Sequence, residues 1–176
     1  MWIRSFGVRG LFKKTTAQHT PVQINDIVRE VLDLVQDDLR AEIIAATAEY
    51  QDNLPNILAA HTQIQQVILN LIKNAIDAMR LVPPEKRRLR LVTGLHEKSG
   101  VAVYVQDSGT GIAPKDRDRI FNPFFTTKSS GMGLGLSICR AIVEEHGGDL
   151  RLSKTDSRGT SFELIFPAGS TSGARI

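Results

Sequence analysis

The stretch QIQQVILNLIKNAIDAM, residues 63–79, repeats polar residues at helical spacing. With about 100° of rotation per residue, Gln63, Gln66, Asn70, Lys73, Asn74 and Asp77 fall on one stripe. Ile64, Val67, Ile68, Leu71, Ile72, Ala75, Ala78 and Met79 fill the opposite side. Asn is a poor helix former, and Asn70 and Asn74 stack one turn apart, so an ordinary solvated face explains the stripe badly. A neutral amide oxygen is a hard ligand that suits Mg²⁺ beside a phosphate, and it adds no negative charge there. The stripe reads as one wall of a Mg–nucleotide site.

A second set lies in VAVYVQDSGTGIAP, residues 101–114. Val101, Val103, Val105 and Asp107 share strand parity and point to one face. A carboxylate ending an apolar face costs several kcal/mol unless it is hydrogen-bonded, on the order of the penalty for any buried polar group. An exocyclic amino group, such as that of adenine, is a fitting donor. Gly109 and Gly111 let the backbone approach a flat ring. A third set, GMGLG, places Gly131, Gly133 and Gly135 directly before a helix. Exposed N–H groups and the positive helix N-terminus together form an anion site. It is not a Walker loop, because no GK[ST] follows, and its spacing is not GxGxxG. Between these loops, FNPFFTTK carries Phe121, Phe124 and Phe125, expected to pin a lid over residues 114–131, and Lys128, within reach of a terminal phosphate.

The elements that position these sets follow from periodicity. Asn25 is a candidate N-cap for a helix carrying Ile27, Val28, Val31, Leu32 and Val35. Residues 42–49 read as a strand. The amide helix spans about 61–80 and stops before Pro83-Pro84. RLRLVTGL and VAVYVQD form a hairpin, LSICRAIVEEH a helix ended by Gly147-Gly148, and DLRLS and TSFELIF two closing strands. His19, Thr20 and Pro21 read as loop. The expected architecture is α/β, a mixed sheet with helices on one face.

Composition narrows the classes. The chain has 176 residues, enough for one domain, with 41% hydrophobic and 23% charged residues. A net charge of +3 with few aromatics gives no nucleic-acid surface, and the lone Cys139 excludes an internal disulfide. No run is long enough to insert in a membrane, which points to the cytoplasm. Residues 1–21, with Arg4, Arg9, Lys13 and Lys14, form a basic stub, 22–168 the domain and 169–176 a flexible tail.

In chain order, the Asn70/Asn74 helix, DSGTG, FNPFF and GMGLG resemble the N, G1, F and G2 boxes of the catalytic ATP-binding domain of bacterial sensor histidine kinases. The resemblance covers roughly residues 22–167 and includes the closing GTSFELIFP; NAIDAM is similar to the N box of oxygen- and nitrogen-sensing kinases. It implies a two-layer α/β sandwich (the Bergerat ATP-binding fold), a mostly antiparallel mixed sheet and a mobile ATP lid. It implies Mg²⁺ at Asn74, Asn70 beside the phosphates, and Asp107 as acceptor from the adenine amino group with Gly109, Gly111 and Thr160 in support. Ile112, Thr127, Lys128, Gly131, Met132, Gly133, Leu134 and Gly135 complete the implied ATP contacts, and Asn70 and Lys128 are the implied catalytic pair. Asp77 stands where many members have a basic residue and Ala78 where they have an aromatic; Lys73 is a candidate substitute for the first.

The implied reaction is phosphoryl transfer from Mg–ATP to a histidine on a dimerisation/phosphotransfer domain, with a response regulator downstream. Hydrolysing relatives typically place Glu where Asn70 stands, since hydrolysis needs a base. A non-catalytic, anti-sigma-like nucleotide-binding module is the other alternative. None of His19, His61, His96 and His146 has the helical His-acid-Pro context of a phosphoacceptor, so the acceptor is expected on a separate domain and the stub to be the end of its helix.

Overall fold

The computed structural model describes residues 18–97, 100–127 and 131–169. The basic residues of the stub, most of the tail and Lys128 lie outside them.

The apolar stripe of the amide helix dictates its placement. Helix α3 (His61–Met79) buries Ile64, Val67, Ile68, Leu71, Ile72, Ala75, Ile76 and Met79. A fully buried side chain of this size contributes roughly 1.5–3 kcal/mol, so this face anchors the layer. Ala78, expected with that group, is only half-buried. Beyond Arg80 the chain is tied down by Arg87, whose guanidinium donates to the carbonyls of Glu42 (2.6 Å), Val82 (2.9 Å) and Arg80 (3.3 Å).

Strands β2 (Ala45–Tyr50), β4 (Arg88–His96), β5 (Gly100–Asp107), β6 (Asp149–Asp156) and β7 (Gly159–Pro167) form one sheet in the order β2-β4-β5-β7-β6. Only β2–β4 is parallel, and α3 lies in its crossover; the other pairs are antiparallel. Val101, Val103 and Val105 of β5 and Phe162, Leu164 and Phe166 of β7 are buried, as their parity demands. The outer face is polar: Arg90 pairs with Glu49 and Gln106, and Tyr104 donates to Glu163 at 2.7 Å. Helices α1 (Ile24–Leu34), the short α2 (Gln36–Ala41) and α4 (Gly135–Glu145) complete the other layer, with α3 packed between α1 and α4. Gly147 ends α4 with φ +71°, and its N–H and that of Gly148 reach back to Glu144 and Val143, closing a Schellman turn.

Three expectations about the elements fail. Asn25 is not the N-cap of α1; Gln23 is. Asn25 is 8% exposed, donates to Gln51 O (3.0 Å) and accepts from Thr93 Oγ1 (2.6 Å), so its amide ties α1 to the sheet. The strand expected at 42–49 begins only at Ala45, because Ile43 adopts a left-handed φ of 54° after α2. The expected loop at Thr20-Pro21 is a strand: β1 (Thr20–Val22) pairs with β3 (Ile57–Ala59), and the His19 ring stacks on His146 at 4.4 Å.

Candidate functional site

A cavity of about 750 Å³ lies between α3, the loop after β5 and the segment entering α4. Two of the chemically distinctive residues, Asn74 and Asp107, line it together with Asp77 and Ala78. Gly111, Ile112, Thr127, Gly131, Met132, Gly133, Leu134, Gly135 and Thr160, all among the contacts that the family resemblance implies, line it too. Gly109 supports the site from behind: a Cβ there would sit 2.7 Å from Ala78 Cβ. Lys73 is exposed on the outer side of α3.

Asp107 owes its position to strand register, opposite Thr160 on β7. Burial pushes its carboxyl up to about 6, against the opposing hydrogen bonds from the backbone N–H groups of Gly109 (2.7 Å) and Thr160. An acid in that state gains from a further donor. Around it the backbone leaves no room for side chains. Gly159 has φ +136°, and a Cβ there would collide with the Asp107 carbonyl oxygen; Gly111 has φ +74°, and a Cβ there would strike Asp156. Ile112 N donates to Thr155 Oγ1 at 2.8 Å, joining the loop to the β6–β7 hairpin.

The other end is made of loops. Gly133 adopts φ +68° against the Phe124 backbone, and α4 opens at Gly135. Gly135 and Leu136 of that first turn line the cavity, at the helix end that carries unpaired N–H groups and a partial positive charge. Ala78 lies at the Asp107 end and Asn70 at the Gly135 end, a separation of about 12 Å along α3 at 1.5 Å per residue.

Asn70 does not line the cavity. It lies behind Gly135, where a Cβ would sit 2.9 Å from its Nδ2, and that nitrogen donates to Cys139 Sγ at 3.1 Å. The amide stripe is thus divided. Gln66 and Lys73 face solvent, Asn74 faces the cavity, and Gln63 Oε1 is buried with no hydrogen-bond partner among the described residues.

The phenylalanines divide as well. Phe121 packs edge-on against Phe162 with ring centres 6.2 Å apart, and Arg119 covers the Phe125 ring at 4.7 Å. Phe124, expected to pin the lid, is 77% exposed with a left-handed φ of 66°, so its ring is not buried against the body of the domain.

Sequence reasoning missed Leu81, Asp116, Ile120, Leu136, Ile138 and Phe162, which also line the cavity. Except for Asp116 they are apolar walls with no chemical signature; a lone apolar pair, Ile120-Phe121, in a polar stretch was the available signal. A second cavity, about 480 Å³, opens beside Tyr104, Gln106, Lys154 and Arg158 and shares Asp107 and Thr160, but it has no part of the glycine loop.

The family described as histidine kinase-, DNA gyrase B- and HSP90-like ATPases matches residues 59–170. Sensor protein TdiS of Thauera aromatica is 35% identical over 161 residues, 91% of this chain and 29% of that protein, so the chain spans under a third of its relative. The catalytic domain of histidine kinase ThkA, in a nucleotide-free form, superposes with a TM-score of 0.74 at 33% identity, covering 86% of this chain and 96% of that domain. Histidine kinase ThkA solved in complex with response regulator protein TrrA gives a TM-score of 0.71 at 32% identity, covering 86% and 42%. The chain belongs to the histidine kinase-, DNA gyrase B- and HSP90-like ATPase family, and within it to the catalytic domains of sensor histidine kinases.

Proposed function

We propose that this domain binds Mg–ATP and donates the γ-phosphate to a histidine on a dimerisation/phosphotransfer domain, from which a response regulator is charged. The observation that carries the reading is one cavity holding Asp107 at its strand end and Asn74, with the α4 N-terminus, at its loop end. Asp107 accepts from the purine amino group, and the glycine backbone and α4 receive the phosphates.

The donor chemistry fits Mg²⁺. Among the described residues no three His, Cys, Asp or Glu side chains are placed to cage a metal. A cation held by one neutral amide, Asn74, with phosphate oxygens and water completing its shell is what Mg²⁺ favours. When bound, it neutralises charge building on the transferred phosphoryl group. Asn74 orients it, and Lys128, which we keep as a proposed phosphate contact, lies outside the described residues.

Hydrolysis is the weaker reading. Asn70 cannot take a proton from water, and Asp77 is paired with Arg80 at 2.8 Å. None of the four histidines offers itself as acceptor. His146 is buried, with Nε2 accepting from Ala60 N–H (3.0 Å) and Nδ1 donating to Ile142 O (2.7 Å); His61 pairs with Glu30; His96 sits beside Glu163; and His19 stacks on His146. The acceptor is therefore proposed to lie on another domain, with residues 1–21 leading to it, 22–168 as the catalytic unit, 169–176 as a tail and the cytoplasm as its compartment. Among the described residues no helix is long and apolar enough to cross a membrane.

The test is incubation with γ-labelled ATP, alone and with a supplied histidine-bearing dimerisation domain. Acid-labile, base-stable label on the supplied domain only is expected. Steady phosphate release without label transfer would replace kinase by ATPase, and label on the isolated chain would overturn the acceptor assignment.

A further inference from the structure

The cavity of about 480 Å³ opens on the polar outer face of the sheet. Strand register puts Tyr104 and Gln106 of β5, Ser161 of β7 and Lys154 of β6 on that face. At Ser153 the β6–β7 ladder skips a residue, a bulge that bends the edge strand and adds Ser153 to the walls. The acceptors around the cavity are already engaged. The Gln106 oxygen accepts from Arg90 at 3.0 Å, and the Asp156 carboxylate accepts from the Arg158 backbone N–H at 2.7 Å and guanidinium at 3.4 Å. Tyr104 gives its proton to Glu163. Donors remain. Gln106 keeps its NH₂, and the Ser153 and Ser161 hydroxyls make no hydrogen bond among the described residues. The Lys154 ammonium stands 4.0 Å from Asp156, beyond hydrogen-bond length. On the outer walls two cations, Lys154 and Arg158, face the single carboxylate of Asp156. The other carboxylate, Asp107, lies at the strand end shared with the nucleotide cavity.

We propose that this outer cavity is a second ligand site, for a small organic anion, and that its occupant opposes the nucleotide. A wall rich in donors, with two cations at its rim, suits the oxygens of a carboxylate or phosphate. The opposition rests on the nucleotide reading above. Asp107 and Thr160 line both cavities. An anion beside Asp107 disfavours the ionised carboxylate, which is the better acceptor for a purine amino group. The hairpin that walls the outer cavity also carries the loop after β5. Ile112 N and Arg117 donate to Thr155 at 2.8 Å and 3.2 Å, and Gly111 lies against the Asp156 carbonyl. An occupant therefore grips, from the outer face, the support on which one wall of the nucleotide cavity rests.

The experiment uses the full chain, ¹⁵N-labelled and metal-free, with phthalate and phenyl phosphate as probes and benzamide as the neutral control. Backbone amide resonances of Ser153, Lys154 and Ser161 are expected to shift with the anions and not with benzamide. Binding of phthalate alone would name the ligand a carboxylate, and of phenyl phosphate alone a phosphate; either supports the site. Lys154→Gln combined with Ser161→Ala should weaken probe binding about tenfold, and the exposed Lys154→Gln alone by part of that. Affinity for AMPPNP, a non-hydrolysable ATP analogue, measured calorimetrically without a probe, should stay within about twofold in these variants, because neither side chain lines the nucleotide cavity. Saturating phthalate should weaken AMPPNP about threefold in the parent and not in the double variant.

Unmoved resonances at the outer cavity, or shifts matched by benzamide or by sodium chloride at the same ionic strength, would overturn the site. Shifts confined to Gly131, Gly133 and Gly135 would put the anions in the nucleotide cavity and overturn it as well. Parental probe affinity in the double variant would remove Lys154 and Ser161 from the site and the proposal with them. Phthalate bound at the outer cavity with no effect on AMPPNP would keep the site and overturn the opposition. No AMPPNP binding by the parent would overturn the nucleotide reading and the opposition with it, while the shifts at Ser153 and Ser161 would still decide the site.

Discussion

The two ends of the cavity are built from different materials. At one end Asp107 and Thr160 sit in register on adjacent central strands, and Gly111 and Gly159 are wedged against backbone that cannot move without unpairing the sheet. At the other end Gly131 and Gly133 lie in a loop that leads to Gly135 at the start of α4, and its neighbours Phe124 and Met132 are 77% and 79% exposed. On the function proposed above, strand register sets where a purine is read, and loop geometry sets where phosphates are held. The first demands rigidity, since a single acceptor discriminates only if it stays in place. The second demands that the site open and close around a charged ligand.

Matched substitutions should break this contrast apart. Gly159→Val and Gly133→Val both place a side chain at a positive φ with backbone in the way. At Gly159 the collision is with the Asp107 carbonyl in the middle of the sheet, so a loss of several kcal/mol and more than about 10 °C in Tm is expected. At Gly133 the collision is with the Phe124 backbone in a surface loop, which can yield; Tm should change by less than about 3 °C while AMPPNP affinity falls at least tenfold. Thermal melts and calorimetry decide it. Equal loss of Tm in both would mean that the loop is part of the cooperative core. Limited proteolysis gives the same contrast without mutation: cleavage between Pro114 and Gly131 should be slowed by Mg–AMPPNP, and cleavage in the β6–β7 hairpin should not occur in either state.

Asn74→Ala is the next largest effect. The side chain lines the cavity and contributes little to the core, so stability should stay within about 0.5 kcal/mol of the parent. Affinity for Mg–AMPPNP should fall ten- to a hundredfold, with a smaller loss in EDTA. A uniform loss in both media would assign Asn74 to the nucleotide rather than the cation.

The same division explains what could be read from the sequence. Asp107 was legible because strand parity is local: Val101, Val103 and Val105 announce the face that Asp107 ends. The amide helix was legible because its apolar stripe recurs over about five turns. Asn25 misled because its residue type suits a cap, while its real partners, Gln51 and Thr93, lie 26 and 68 residues away. Strands β1 and β3 have three residues each, too few to show a period, and Pro21 argued against a strand although an edge tolerates it. The apolar walls Ile120, Leu136 and Phe162 carry no chemistry of their own and become part of a site only when the fold assembles them. Cys139 was visible only as an unpaired thiol; its contact with Asn70 belongs to the packing of α3 on α4.

The smallest expected effect is the most specific to the rigid end. The Asp107 carboxyl, ordinarily near 3.8, is pushed up to about 6 by burial. An acid whose folded value lies above its unfolded one leaves the fold fully stable below the unfolded value and weakens it as pH rises through the folded value. The cost therefore grows between about pH 4 and pH 6 and is complete near pH 7.5, on the order of 3 kcal/mol. Asp107→Asn removes the charge and keeps an oxygen for the Gly109 N–H, so its Tm at pH 7.5 should exceed the parent's by about 5 °C and match it near pH 4. Binding runs the other way. The ionised carboxylate is the better acceptor for a purine amino group, so parent affinity for AMPPNP should be flat above pH 7 and fall about tenfold toward pH 5. The Asp107→Asn variant should bind more weakly at pH 7.5 and show no such slope, and the parent should prefer AMPPNP to its guanine counterpart throughout. A parent with a flat pH profile and equal affinity for both purines would sink the assignment of Asp107, even if the stability gain came out as expected, because that gain follows from burial alone.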